Sequence, residues 1–223
     1  MKREKSVEHL RDLVQGRIQS SIDIKTTLLR NSQFHDALAH VASQIVESLR
    51  AGGKVIFFGN GGSAADAQHL TAEFTGRYLK ERRALAALAL STNSSSVTAI
   101  GNDYGFDLVF ARQLEALGKE GDVAIGISTS GNSRNVIRAF EAAKSKSIYT
   151  VALTGASGGA MKKVADCTIC IPTEQTPRIQ ECHILAGHII CEIVELALFD
   201  EDTENGSRAK DFVTAPSQRE KNS

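Results

Sequence analysis

VIFFGNGGSAADAQHLTAEFTGRY, from Val55 to Tyr78, reads as a strand, a turn and a helix in direct succession. Val55-Ile56-Phe57-Phe58 is an unbroken apolar run, the pattern of a strand covered on both faces in a parallel sheet. Gly59-Asn60-Gly61-Gly62 follows with residues that accept positive φ and carry little bulk, so a tight turn can present bare backbone N–H groups. Ser63 is placed to N-cap the next helix, whose unpaired donors and positive dipole end favour a phosphate. His69 and Glu73, four residues apart, share one face of that helix. A pair so spaced can hold a metal, exchange protons, or form an ordinary solvated ion pair.

Upstream, residues 1–52 read as a helical pair. The first helix sets Val7, Leu10, Leu13, Val14, Ile18, Ile22 and Ile24 among charges, and Asn31-Ser32 breaks it and caps the second. The second presents Leu38, Val41, Ile45, Val46 and Leu49, and Gly52-Gly53 ends it. Such a pair packs on the core or on a second subunit, and the subunit contact is the favoured reading.

Downstream, residues 53–200 repeat the strand, loop and helix order. Leu85 to Leu90 is a strand, followed by the polar cluster Ser91 to Ser96 and a turn, Gly101 to Gly105. Within that turn Asn102 and Asp103 can bond sugar hydroxyls or serve the turn alone. Phe106 to Leu117 is predicted as a helix, and Asp122 to Ile127 as the third strand. Ser128-Thr129-Ser130-Gly131-Asn132-Ser133 comes next, ahead of a helix from Arg134 to Lys144. A cap needs one hydroxyl, and this loop has four, so it is the second phosphate signal. Ile148 to Leu153 and Cys167 to Ile171 complete the strands, with a short helix opened by Gly158-Gly159 between them. Arg178 to Phe199 is a strongly apolar final helix carrying Gln180, Glu181, His183 and His188, where Gly187 marks close packing or room for a ligand.

This order predicts an α/β, three-layer, Rossmann-like fold: a five-stranded parallel sheet, helices on both faces, ligands at the carboxyl ends of the strands. Residues 201–223 are polar and aperiodic, as in a disordered tail.

Composition narrows the function. At 223 residues and 42% hydrophobic, the chain can bury a full core. A formal net charge of zero argues against a nucleic-acid surface or a polybasic membrane patch as its main business. The N-terminus is charged from Lys2 onward with no apolar leader, and no long apolar segment is expected, which predicts a cytoplasmic protein. Cys167-x-x-Cys170 invites a redox or zinc reading, but no second CxxC accompanies it, and all four cysteines are better read as buried reduced thiols.

Taken together, GNGGSAADAQHLTAEFTGRY, AIGNDYGFD, GDVAIGISTSGNSRNVI, LTGASGG and RIQECHILAGHII resemble the sugar isomerase (SIS) domain, and within it the phosphoheptose isomerases. The resemblance covers roughly residues 35–199 and implies the SIS fold. It assigns Ser128, Thr129, Ser130 and Ser133 to a substrate phosphate, Asn60, Gly61 and Gly62 to the sugar pocket, and Asn102 and Asp103 to hydroxyls. It gives zinc as cofactor, with His69, Glu73, Gln180 and His188 as ligands, Glu73 and Gln180 also touching substrate, and Glu73 and His188 moving protons. Pro177 departs from the family, standing where an acidic residue is usual.

The implied reaction converts sedoheptulose 7-phosphate to D-glycero-D-manno-heptose 7-phosphate through an enediol, for ADP-heptose and lipopolysaccharide or another surface glycan, in a cytoplasmic homotetramer. Two other readings share the fold: an isomerase of another sugar phosphate, and a noncatalytic SIS regulator that binds the replication initiator. Regulators of that kind lose the catalytic residues, and all four ligand positions are retained here. Gln180 and His188 lie eight residues apart, about 12 Å along a helix, which is far for one ion and predicts ligands from more than one subunit.

Overall fold

The computed structural model describes residues 2–200, with side chains from Val7 onward. Its strands are β1 (Val55–Gly59), β2 (Ala87–Ala89), β3 (Val123–Ser128), β4 (Tyr149–Thr154) and β5 (Cys167–Cys170). Its helices are α1 (Lys2–Leu29), α2 (Ser32–Arg50), α3 (Gly62–Thr75), α4 (Ser94–Tyr104), α5 (Ala111–Leu117), α6 (Arg134–Lys144) and α7 (Thr176–Phe199). All strands run parallel in the order β2-β1-β3-β4-β5, the five-stranded α/β arrangement expected.

The apolar run in β1 works on both faces because its side chains alternate. Val55 and Phe57 join a core with α2, α3 and α7, whereas Ile56 and Phe58 join one with α5 and α6. Strand order reverses between β1 and β3, so α3 and α6, which follow them, lie on opposite faces. Their N-termini lie at the carboxyl ends of β1 and β3, the place where such sheets bind ligands.

The helical pair divides. Asn31 caps α2, accepting from Phe34 N at 3.1 Å, and the apolar face of α2 is buried in the core. Among the described side chains of α1, those of Ile24 and Leu28 reach that core. Val7, Leu10, Leu13, Val14, Ile18 and Ile22 are about half exposed along the rest of it. Arg178 binds the Arg17 carbonyl and Ser21 binds Glu181, fastening α1 to α7.

Several local expectations change. Ser63 is not the N-cap of α3; Gly61 is, at φ +56°, and it turns the chain into the helix before Ser63, which is buried. Gly101 to Gly105 is not a turn: Asn93 caps α4 by accepting from Ser96 N, so the helix runs through Asn102 and Asp103 to Gly105. The segment 106–117 splits into a 3-10 turn, Phe106–Leu108, and α5, and Gly159 leads only to the 3-10 turn Met161–Lys163. The second strand shrinks to Ala87–Ala89 at the edge of the sheet.

The helix α7 begins at Thr176, and Pro177 sits in its first turn, where a missing N–H breaks no helical bond. By length and composition this helix could cross a membrane, with mean hydropathy 1.7 over its most apolar window, so the expectation of no long apolar segment fails. In the fold it is a core helix packed against α2 and α3, with His183 and Glu195 buried on it. Cys182 and Cys191 are buried free thiols, while Cys167 and Cys170 on the edge strand β5 are only half-buried. The expected tail, 201–223, lies outside the described residues.

Candidate active site

The loop after β3 is a nest of hydroxyls. Ser128 Oγ lies 2.9 Å from Ser133 Oγ and 3.4 Å from Ser130 Oγ. Ser133 is the N-cap residue of α6, yet its side chain makes no capping bond, so the hydroxyl faces the loop and the first N–H groups of α6 stay open to an anion. A neighbouring loop supports the nest: Gly155 N donates to the Thr129 carbonyl, Met161 N to the Gly131 carbonyl, and Ala160 N to Asn132 Oδ1.

The β1 loop is tied to this nest. Asn60 Nδ2 donates to Asn135 Oδ1 and Asn135 Nδ2 donates to Asn60 Oδ1, both at 2.9 Å. Asn135 is buried in the first turn of α6. The Asn60 amide therefore bridges the two loops.

Along α3 and α7 residue numbers rise together, so the helices run parallel. Gly62 abuts Gln180 and Gly187 abuts Leu70, where added Cβ atoms would stand 2.6 Å from the Gln180 Nε2 and from both Leu70 methyls. The glycine at 187 thus serves close helix packing. That approach brings His69 Nε2 to 2.8 Å from His188 Nε2, and His69 Nε2 to 3.3 Å from Glu73 Oε1. One of the two imidazole nitrogens carries the hydrogen and the other is bare. Burial and the neighbouring His69 lower the pKa of His188, with Glu73 opposing, which favours a neutral ring near pH 7. Asp66, one turn before His69, has a buried Oδ2 without a partner, and burial raises its pKa against the pull of His69.

Behind this cluster lies a network the motifs did not reveal. Glu195 accepts from the backbone N–H groups of Tyr78, Leu79 and Lys80 and from Arg82 Nε, at 3.2, 2.8, 2.9 and 2.6 Å. Arg82 donates onward to the carbonyls of Glu73, Phe74, Gly76 and Arg83. The two side chains are 2% and 3% exposed. Burial alone would raise the Glu195 pKa; the four donors outweigh it and hold the carboxyl below its usual range. The loop they shape lays the Tyr78 ring on His188, with centroids 5.8 Å apart and planes 30° apart.

Comparison with known proteins bears on what this site does. A model of the SIS domain matches residues 22–155. Phosphoheptose isomerase of Sulfurimonas denitrificans is 50% identical over 192 residues, 86% of this chain and 98% of the relative. That of Rhodospirillum rubrum is 58% identical over 162 residues, 73% of this chain and 86% of the relative. The chain belongs to the phosphoheptose isomerase family of SIS domain proteins. In structure it is similar to phosphoheptose isomerase from Neisseria gonorrhoeae, with TM-score 0.78 and 43% identity over 83% of this chain and 98% of that one. It is a sugar-phosphate isomerase.

Within this isomerase the expected site residues separate into groups. Ser128, Ser130 and Ser133 converge, and Thr129 holds the loop through its carbonyl. Gly61 and Gly62 form the turn beside them, with Gln180 against it. His69, Glu73 and His188 converge at the other end of α3, their ligand atoms within 4.8 Å of one another. Asn102 and Asp103 are exposed at the far end of α4, bonded to each other at 2.8 Å.

Two imidazoles and a carboxylate are a donor set that zinc accepts. Two nitrogens on one tetrahedral zinc stand about 3.3 Å apart, so a small parting of the rings would admit the ion. The three residues fit. Gln180, two turns from His188 on the same helix, is not gathered with them in one chain.

Proposed function

We propose that this isomerase interconverts sedoheptulose 7-phosphate and D-glycero-D-manno-heptose 7-phosphate. The observation that carries the proposal is the meeting of His69, Glu73 and His188 in a chain 50% identical to a relative named phosphoheptose isomerase. The Ser128–Ser133 nest and the open N–H groups of α6 would hold the phosphate.

The reaction moves a proton from C1 to C2 while O1 loses a proton and O2 gains one. Glu73, 20% exposed at its side chain, is placed to take the carbon proton as a carboxylate, leaving an enediol, and to return it at C2. His188, kept neutral by its surroundings, can accept the O1 proton and pass it to O2. The clamp at Glu195 and Arg82 holds the end of α3 that carries Glu73. Zinc, held by His69, Glu73 and His188 with Gln180 from a neighbouring subunit, would supply positive charge to polarise the substrate carbonyl. A carboxylate engaged by the ion would be a weaker base, so the two roles of Glu73, ligand and carbon base, would compete.

The apolar stripe on α1 supports self-association, and a homotetramer in the cytoplasm supplying heptose for lipopolysaccharide or another surface glycan is the setting we infer. The test is conversion of sedoheptulose 7-phosphate by purified protein, with and without added zinc, beside His188→Ala. Turnover in the parent, lost in the variant, supports the reading. A folded parent that leaves this sugar unchanged while isomerising a pentulose or hexulose phosphate overturns it.

A further inference from the structure

Tyr78 closes the glycine-turn motif with no role read from it, yet its ring is the aromatic surface against which the His188 imidazole lies, at 5.8 Å and 30°. It is not held there by its own hydroxyl. What holds it is its backbone: Tyr78 N, Leu79 N and Lys80 N all point at the Glu195 carboxylate, which α7 supplies two turns beyond His188. Arg82 closes the loop from the opposite side, bonding Glu195 through Nε and the Glu73 and Phe74 carbonyls through its other nitrogens. The buried carboxylate takes two donors at each oxygen and has no lone pair left for a ligand, and the buried guanidinium spends Nε, Nη1 and Nη2 on Glu195 and four backbone carbonyls. They fix a loop.

We propose that Tyr78 is a positioning residue for the reaction: the Glu195–Arg82 clamp delivers its ring to His188 and sets the plane in which that imidazole meets the oxygens of the substrate. The inference rests on His188 as the group that carries the oxygen proton. Among the described residues the polar neighbour within hydrogen-bond reach of the imidazole is His69 Nε2, at 2.8 Å, and a bond or an ion at one nitrogen leaves the ring free to rotate about that direction. Stacking removes that freedom. The preferred offset geometry of aromatic pairs gives the contact a direction as well as an area. Because Glu73 is tied through its carbonyl to the same Arg82, one clamp registers both proton-handling side chains to each other.

The experiment compares Tyr78→Leu and Tyr78→Phe in the full chain. We expect Tyr78→Leu to lose about tenfold in kcat with KM nearly unchanged, as for a group that orients without binding, and Tyr78→Phe to retain parental kcat. Independently of turnover, the imidazole protons of His188, assigned by NMR against His188→Ala, carry a ring-current shift in the parent and in Tyr78→Phe. That shift disappears in Tyr78→Leu and shrinks in Glu195→Gln, which halves the accepting oxygens of the clamp. An unaltered shift in Tyr78→Leu overturns the proposal. So does a Tyr78→Phe variant as slow as Tyr78→Leu, since the hydroxyl and not the stack would then be acting. If the parent fails to isomerise the heptulose phosphate, the proton role of His188 falls with that reaction, while the shift still reports whether Tyr78 orients the ring.

Discussion

The two ends of the α3–α7 pair are built from opposite materials. At the N-terminal end Gly61, Gly62 and Gln180 are linked through the Asn60–Asn135 amide pair to the hydroxyl nest after β3, a set of neutral groups and helix N-termini. At the other end, about 10 Å along the helix, His69, Glu73 and His188 crowd together as titratable groups. A phosphate keeps its charge throughout an isomerisation, so fixed dipoles suit it. Protons that change owner need groups whose charge can change, and these lie apart from the proposed phosphate site, whose charge would shift them. In the proposed reaction, binding and chemistry are separated by about two turns of α3.

The largest test of that separation is Glu73→Gln. It is expected to lower kcat by roughly a thousandfold while affinity for sedoheptulose 7-phosphate, measured by calorimetry, changes little. A comparable loss of affinity would mean that the reacting end also carries the binding energy.

Mixing is the next. Gln180→Ala and His188→Ala chains, each inactive alone, should regain activity when dissociated and reassembled together, because sites pairing an intact Gln180 from one subunit with an intact His188 from another are restored. If the mixed oligomers stay inactive, each site is complete within one chain.

His183 lies on α7 between the two ends and probes its stability. Its Nε2 must carry the hydrogen it donates to the Thr154 carbonyl at 3.1 Å, and Nδ1 is buried without a partner. Burial lowers its pKa to about 4, with the Thr154 bond opposing. A folded-state pKa below the unfolded value of a histidine means that stability is fully present above about pH 6.5 and is lost as pH falls toward 4, by up to roughly 3 kcal/mol. Melting temperatures of the parent should fall across that window, and His183→Gln should fall less. Parallel curves would show that other groups set the acid limit.

The smallest expected effect is at the bridge between loops. Asn135→Ala removes both amide bonds to Asn60 and should raise KM by about fivefold, with kcat nearly preserved, since the phosphate loop loses its spacing from the β1 turn. A fall in kcat without a rise in KM would place Asn60 at the reacting end instead.

These tests fall on residues of unequal legibility. The β1 run, the glycine turn and the hydroxyl loop could each be read because a strand, a turn and a helix start are local patterns of a few residues. His69 and Glu73 were visible as a pair because helical periodicity alone puts them on one face. Asn135 stood unremarked inside the correctly bounded helix from Arg134 to Lys144, since its partner is 75 residues away. Glu195 and Arg82 carry no local signal, because the fold sets them 2.6 Å apart across 113 residues. Asn102 and Asp103 were misread as a turn because two glycines outweighed the Asn93 cap that starts α4.

What the order of residues determined by itself was the parallel sheet, its two-sided apolar filling and the position of the glycine and hydroxyl loops, all consequences of backbone geometry and side-chain periodicity. What only the tertiary structure decided was which side chains meet. His188 reaches His69 because Gly187 lets α7 approach Leu70, and Tyr78 reaches His188 because Glu195 gathers three backbone donors from another part of the chain. Such contacts depend on how two helices cross a common core, and no local pattern encodes that distance.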